Sequence, residues 1–158
     1  MKNLILVAVL LLTVSALSFA QTANITANVN ATIVVTRLTD LAIGNLNQGQ
    51  VVSIASASAA AASFSITGAA NAATTVTVTF PPTLASGLNT MTFTGNIPTY
   101  HTVAGFAGST AFGALTGGQT NTSGTGALWI YIGGGVTADP SQAVGSYTGT
   151  LSVAVTQP

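Results

Sequence analysis

An all-β domain, a two-sheet antiparallel β-sandwich, is predicted by three observations on this sequence. Apolar and polar residues alternate with period two over most of the chain, the pattern of strands with one buried face. β-branched residues abound, while the Glu, Lys and Arg that helices favour are nearly absent. Gly and Pro interrupt the apolar runs at short intervals, as in a sandwich built of many short strands.

The first twenty residues precede the fold. Lys2 is followed by an apolar run from Leu4 to Leu17 broken only by Thr13 and Ser15, and Ser18-Phe19-Ala20 ends it with small residues at two key positions. That order is the layout of a cleavable signal peptide, with cleavage expected between Ala20 and Gln21. The run is shorter than the roughly 18 residues that span a bilayer, and later apolar segments are interrupted by Thr, Ser, Asn or Gly. The expected product is therefore secreted, to the extracellular space or the cell surface, and not embedded in a membrane. There is no cysteine, so neither disulfides nor a lipid on an N-terminal Cys enter the expectation. The organisation expected is a signal peptide over 1–20, an N-terminal extension over 21–31 and one sandwich domain over 32–158.

From Ala23 to Val35 the alternation is cleanest, with Ala23, Ile25, Ala27, Val29, Ala31, Ile33 and Val35 on one face and mostly Asn and Thr on the other. Gln50–Ile54 reads as a strand, and the Ala/Ser run 55–62 as a loop or small-residue strand, because Ser favours turns. Ser63–Thr67 is a strand with Phe64 and Ile66 pointing one way. Thr74–Phe80 is another, with Val76, Val78 and Phe80 inward, stopped by Pro81-Pro82, which cannot continue a central ladder. Met91 and Phe93 mark a short strand. Pro98–Gly126 reads as long loops with one or two short strands. Ala127–Ile132 places Leu128, Ile130 and Ile132 on one side and Trp129 and Tyr131 on the other. Gly133-Gly134-Gly135, then Asp139-Pro140-Ser141, are expected to turn the chain. Val144–Thr156 is the last strand, with Tyr147, Leu151, Val153 and Val155 on one face and Gly149 thinning it midway.

Charge bounds the function. Beyond Ala20 the charged side chains are Arg37, Asp40 and Asp139, with His101 the one imidazole. Soluble monomers usually keep about a quarter to a third of their surface charged, so a chain covered by Thr, Ser, Asn and Gln is expected to pack against other chains or to carry glycan. Nucleic acid and anionic lipid both demand clustered Lys and Arg, which are missing. Catalysis is not expected either. Asp40 and Asp139 lie at opposite ends of the chain; Asp139 is placed to cap its own turn and Asp40 to pair with Arg37. His101 lacks Cys and carboxylate partners for a metal site or a nucleophilic triad, and no glycine-rich stretch carries the Lys of a phosphate loop. No cofactor is expected.

The thirteen residues from Ala23 to Val35 would extend about 44 Å at roughly 3.4 Å each, more than twice a common strand. The sequence divides naturally. Ile33–Thr36 begins the domain, and Ala23, Ile25, Ala27 and Val29 form a projecting polymerisation strand that fills a groove in the next subunit by strand addition. Donor and acceptor surfaces then differ, so the contact repeats head to tail into a filament. The alternative is a long bent edge strand folded wholly within its own domain. Asn24, Asn30 and Asn121 each begin an N-glycosylation acceptor pattern, with Asn24 and Asn30 on the polar face of the proposed donor. Trp129 and Tyr131, if outward, are candidates for a subunit contact or for stacking on sugar; the competing expectation is burial beneath the 98–126 loops.

The segment Ala62-Ser63-Phe64-Ser65-Ile66-Thr67-Gly68, the ending Gly145-Ser146-Tyr147-Thr148-Gly149-Thr150-Leu151-Ser152-Val153 and the Gly-rich stretch Ile132–Gly135 together resemble an uncharacterised bacterial secreted family, domain of unknown function 4402. The resemblance covers most of the chain beyond Ala20. It implies a pilin-like, immunoglobulin-like sandwich with a surface role, and brings no catalytic residues. The function expected is a structural subunit of an extracellular, pilus-like filament whose partner is itself; the alternative is a monomeric adhesin or carbohydrate-binding module.

Overall fold

The computed structural model describes residues 32–115 and 118–158. Every described strand pairs antiparallel, and three sheets result. The first has the order β1 (Val34–Thr39), β3 (Ala62–Thr67), β10 (Ala127–Ile132), β7 (Thr99–His101), β8 (Thr110–Ala111). The second is β2 (Val51–Ile54), β11 (Gly134–Thr137), β6 (Asn89–Gly95), β5 (Thr83–Ser86). The third is β12 (Ser152–Thr156), β4 (Ala73–Thr79), β9 (Gly118–Thr122).

The first and third sheets face each other across a core of Ile66, Val76, Val78, Leu128, Ile130 and Ile132, with Ala62 and Phe112. Their inward positions follow the period-two alternation read from the sequence. A second apolar cluster, Met91, Phe93, Val136 and Ala138, lies beneath the second sheet, and Phe80 stacks on Phe93 at 6.2 Å where the two clusters meet. The sandwich is thus an all-β, antiparallel, packed-sheet domain, as its alternation predicts.

Chain segments pass directly from the first sheet into the second. β10 continues through Gly133 into β11, and β6 continues through Asn96-Ile97-Pro98 into β7. β10 sits between β3 and β7, while β11 sits between β2 and β6. The crossing is held by Ser56, whose buried hydroxyl donates to the Ile97 carbonyl at 2.7 Å and accepts from the Gly133 N–H at 2.9 Å. Asn96 adds a bond from its Nδ2 to the Ile54 carbonyl at 2.7 Å.

Several expectations are corrected here. Gly133-Gly134-Gly135 does not turn the chain; Gly134 and Gly135 open β11. Its glycines are there because neighbouring strands come too close for side chains: a Cβ on Gly133 would collide with the Ile54 carbonyl oxygen, one on Gly134 with the Phe93 ring, and one on Gly135 would stand 2.7 Å from the Val52 carbonyl oxygen. The last strand is shorter than Val144–Thr156. β12 occupies Ser152–Thr156, and before it Thr148 forms an isolated bridge to Ala85. Pro81-Pro82 causes the break. From Thr79, paired with Ser152, to Ala85, paired with Thr148, one chain advances six residues and the other four, so the prolines push two residues out of the ladder. The 98–126 region holds β7, β8 and β9, more strand than its glycines suggest. The Ala/Ser run 55–61 is bends and a turn, in keeping with its serines.

Candidate functional site

The sandwich is open along one side. β1 is an edge of the first sheet and β12 an edge of the third. Val35 and Arg37 are in register with Ile66 and Phe64, so they point inward, yet Val35 remains 41% exposed. Leu151, Val153 and Val155 on the facing edge are likewise only partly buried against the core. The inner faces of two edge strands therefore meet no covering strand among the described residues.

This opening widens into a cleft of about 1020 Å³. Ala62, Phe64, Met91, Phe93, Val136 and Ala138 contribute an apolar lining. One lip is the stretch from Arg37 to Gln48, and the other runs from Gln142 to Leu151. Both lips are mostly extended chain outside any named strand. The second lip alternates: Val144, Ser146, Thr148 and Thr150 are exposed, while Tyr147 packs on the second apolar cluster and Leu151 on the first. Gly145 and Gly149 take the same side as Tyr147 and Leu151. Small residues at Gly44, Ala62, Ala138 and Ala143 leave space in the cleft, whereas Ser86 and Leu84 occupy the positions that side chains on Gly145 and Gly149 would take.

Thr148 exchanges both backbone hydrogen bonds with Ala85, at 2.8 and 3.0 Å. In an antiparallel ladder the next residues, Tyr147 and Gly149, direct their N–H and C=O groups the other way, toward the cleft. Among the described residues no backbone group accepts or donates there. At the end nearest Gln48 the lips are clasped by a bond from Gln48 Nε2 to the Gln142 carbonyl at 2.8 Å. Arg37 and Asp40 form a 2.7 Å ion pair on the rim, as expected from their spacing. Their side chains are 66% and 73% exposed, so the pair edges the cleft without charging its floor.

The other singled-out residues fall elsewhere. Ala23, Ile25, Ala27 and Val29, with Asn24 and Asn30, lie outside the described residues. Asn121 is buried in β9, in register with Thr74, so the folded domain does not present it to a glycosylating enzyme. Tyr131 is covered: Phe106 meets it edge-on at 6.3 Å, and its hydroxyl accepts from the Gly105 N–H at 2.7 Å. It is therefore not available as a surface contact, for the reason given by the competing expectation of burial beneath a loop. Trp129 is half-buried on the outer face between Ser65 and His101. His101 Nδ1 accepts from the Val103 N–H at 2.9 Å, which fixes the ring at the start of the loop covering Tyr131. Asp139 accepts from the Ser141 hydroxyl at 2.6 Å and the Ser141 N–H at 2.8 Å, the turn cap expected of it. Among the described residues no three His, Cys, Asp or Glu side chains group as metal ligands, and no helix is long and apolar enough to cross a membrane.

Sequence reasoning missed the cleft lips. The signal is present in Gly145, Tyr147, Gly149 and Leu151, an inward face alternating small and large, which reads as a thinned strand because the sequence does not show that Ser86 and Leu84 pack over its glycines.

The family model described as Domain of unknown function (DUF4402) matches residues 11–156, all but the first ten and last two positions. No curated protein and no solved structure matches the chain.

Proposed function

The chain belongs to the DUF4402 family, and we propose that it is a structural subunit of an extracellular filament, exported by its first twenty residues and joined head to tail by its N-terminal strand. The observation that carries this reading is the cleft between the 37–48 and 142–151 lips, next to the β1 edge: a space with polar lips over an apolar floor of Phe64, Met91 and Phe93, and with backbone groups of Tyr147 and Gly149 that pair with no other backbone among the described residues. A chain with an alternating apolar segment before β1 and a groove of the same character supplies both halves of a strand-addition contact. Filling it would also cover edges that are hazardous on a protein with so few charges to keep copies apart. The role is mechanical and asks for no catalytic group or cofactor.

The deciding experiment is negative-stain electron microscopy of the chain from Gln21 to Pro158 beside the same chain lacking residues 21–30. Fibres with a repeat near one domain length, lost on truncation, are the expected result. Fibres that persist after truncation, or dispersed particles in both samples, would overturn the reading.

A further inference from the structure

We infer that the outer face of the first sheet carries a binding site for a neutral saccharide, with the Trp129 ring as its floor and the 102–108 loop as its wall.

The sheet sets the residues side by side. Leu128, Ile130 and Ile132 enter the core, so Trp129 lies on the opposite face of β10. Register carries Thr36, Ser65, Trp129 and His101 across β1, β3, β10 and β7 in one row, and neighbours in such a row stand with Cβ atoms about 4.5–5.5 Å apart. At the His101 end the row meets the 102–108 loop, exposed along its length. That loop is pinned in place. The Val103 N–H donates to His101 Nδ1 at 2.9 Å, the Gly105 N–H donates to the Tyr131 hydroxyl at 2.7 Å, and the Ser109 hydroxyl donates to Thr99 Oγ1 at 3.0 Å. Phe106, edge-on to Tyr131, completes the cover over that residue. Trp129, two residues earlier on the same face, keeps part of its surface in solvent.

Packing does not account for a tryptophan at this position. It joins neither apolar cluster, and no described aromatic ring stacks on it. Its indole N–H makes no hydrogen bond among the described residues and is not a buried unpartnered group either, so it is open to an acceptor on a ligand. Around the ring stand the hydroxyls of Thr36 and Ser65 and the His101 imidazole, whose donor is Nε2 because Nδ1 accepts. No charge belongs to this row: Arg37 and Asp40 pair with each other at the cleft, and Asp139 caps its own turn. An apolar ring framed by neutral donors and acceptors suits a pyranose, which has an apolar C–H face and a rim of hydroxyls. A protein partner fits less well, since a stable interface covers about 800 Å² on each side around an apolar centre, whereas here a single ring is bordered by hydroxyls.

The chain holds one tryptophan, so its fluorescence reports on this ring alone. The chain from Gln21 to Pro158 is titrated with neutral oligosaccharides of glucose, galactose, mannose and N-acetylglucosamine, and with sulfated and uronic-acid oligomers as charged counterparts. The expected result is a saturable emission change with at least one neutral series, accompanied by slower quenching by acrylamide, and no change with the charged ones. Trp129→Ala should weaken retention on the matching polysaccharide roughly 10-fold or more, and Trp129→Phe should keep part of it, with thermal unfolding confirming that both variants fold. If Trp129→Ala does not fold, protection from quenching in the native chain decides. No emission change with any neutral series, binding of the charged oligomers alone, or full retention of Trp129→Ala would each overturn the inference. So would an emission change that accompanies fibre growth without saccharide, which would make this face a subunit contact. The filament reading is tested separately, because neither its strand nor its cleft belongs to this site.

Discussion

Two side chains show how local bonding holds this fold in place of charge. Ser56 joins segments far apart in sequence by donating to Ile97 and accepting from Gly133. Ser56→Ala would leave the buried Gly133 N–H and the part-buried Ile97 carbonyl without that partner, so a loss of about 1–3 kcal/mol is expected, read as a lower urea midpoint with unchanged slope. Asp139 acts in a smaller way. The Ser141 hydroxyl, then the Ser141 N–H, hold its carboxyl below its ordinary value of 3.8. A carboxyl lowered in the folded state stabilises above the unfolded value and loses that contribution as pH falls through the folded one. The stability difference between the native chain and Asp139→Asn should therefore be flat above about pH 5 and shrink below about pH 4, as followed by thermal unfolding across that range. Both the Asp139 cap and the Arg37–Asp40 pair were legible from spacing alone, because each is a local contact. Ser56 was not, since a lone serine in an Ala/Ser run gives no sign of partners 41 and 77 residues away.

The strands in the core were legible wherever apolar and polar residues alternate, most cleanly where one face is buried and the other wet, as at Met91 and Phe93 with Thr90, Thr92 and Thr94 exposed between and beside them. The alternation weakens where Gly replaces a side chain, which is why the sequence of β11 reads as a turn. Its glycines serve close packing instead, and Gly133→Ala should lower stability by about 1–3 kcal/mol through a clash that rigid backbone cannot relieve. The last strand was overextended for the opposite reason. Its period-two pattern continues unbroken through Gly145–Leu151, but the Pro81-Pro82 step in the facing strand removes most of its partners. At the cleft, the Gln48–Gln142 clasp is a single exposed hydrogen bond worth about 0.5–1.5 kcal/mol. If the cleft receives a strand, Gln48→Ala should speed fibre growth roughly 2- to 10-fold without changing fibre appearance, a rate measurable by light scattering.

On the scale of the whole chain, the scarcity of charge sets how association responds to its surroundings. Arg37 and Asp40 neutralise one another, which leaves Asp139 as the remaining formal charge beyond Ala20. The assembly proposed above, driven by apolar burial and backbone pairing, should proceed at nearly the same rate from about 0.01 M to about 0.15 M salt, a range over which an electrostatic joint would weaken sharply. The all-β architecture was legible because alternation is written locally, whereas the cleft arises between segments about a hundred residues apart and only folding brings its lips together. Two features at its mouth have a geometric consequence. Leu88, at the tip between β5 and β6, and Val144 are almost wholly exposed, and they share one end of the domain, since a Cβ on Gly145 would lie 2.5 Å from the Ser86 hydroxyl. On the proposed reading, a chain shortened by residues 21–30 keeps this apolar cap but has no strand to give. Two identical caps pressed together satisfy each other by a twofold axis and leave nothing further to add. Shortened material should therefore stop at a symmetric pair, and Leu88→Ser with Val144→Ser should return it to single domains.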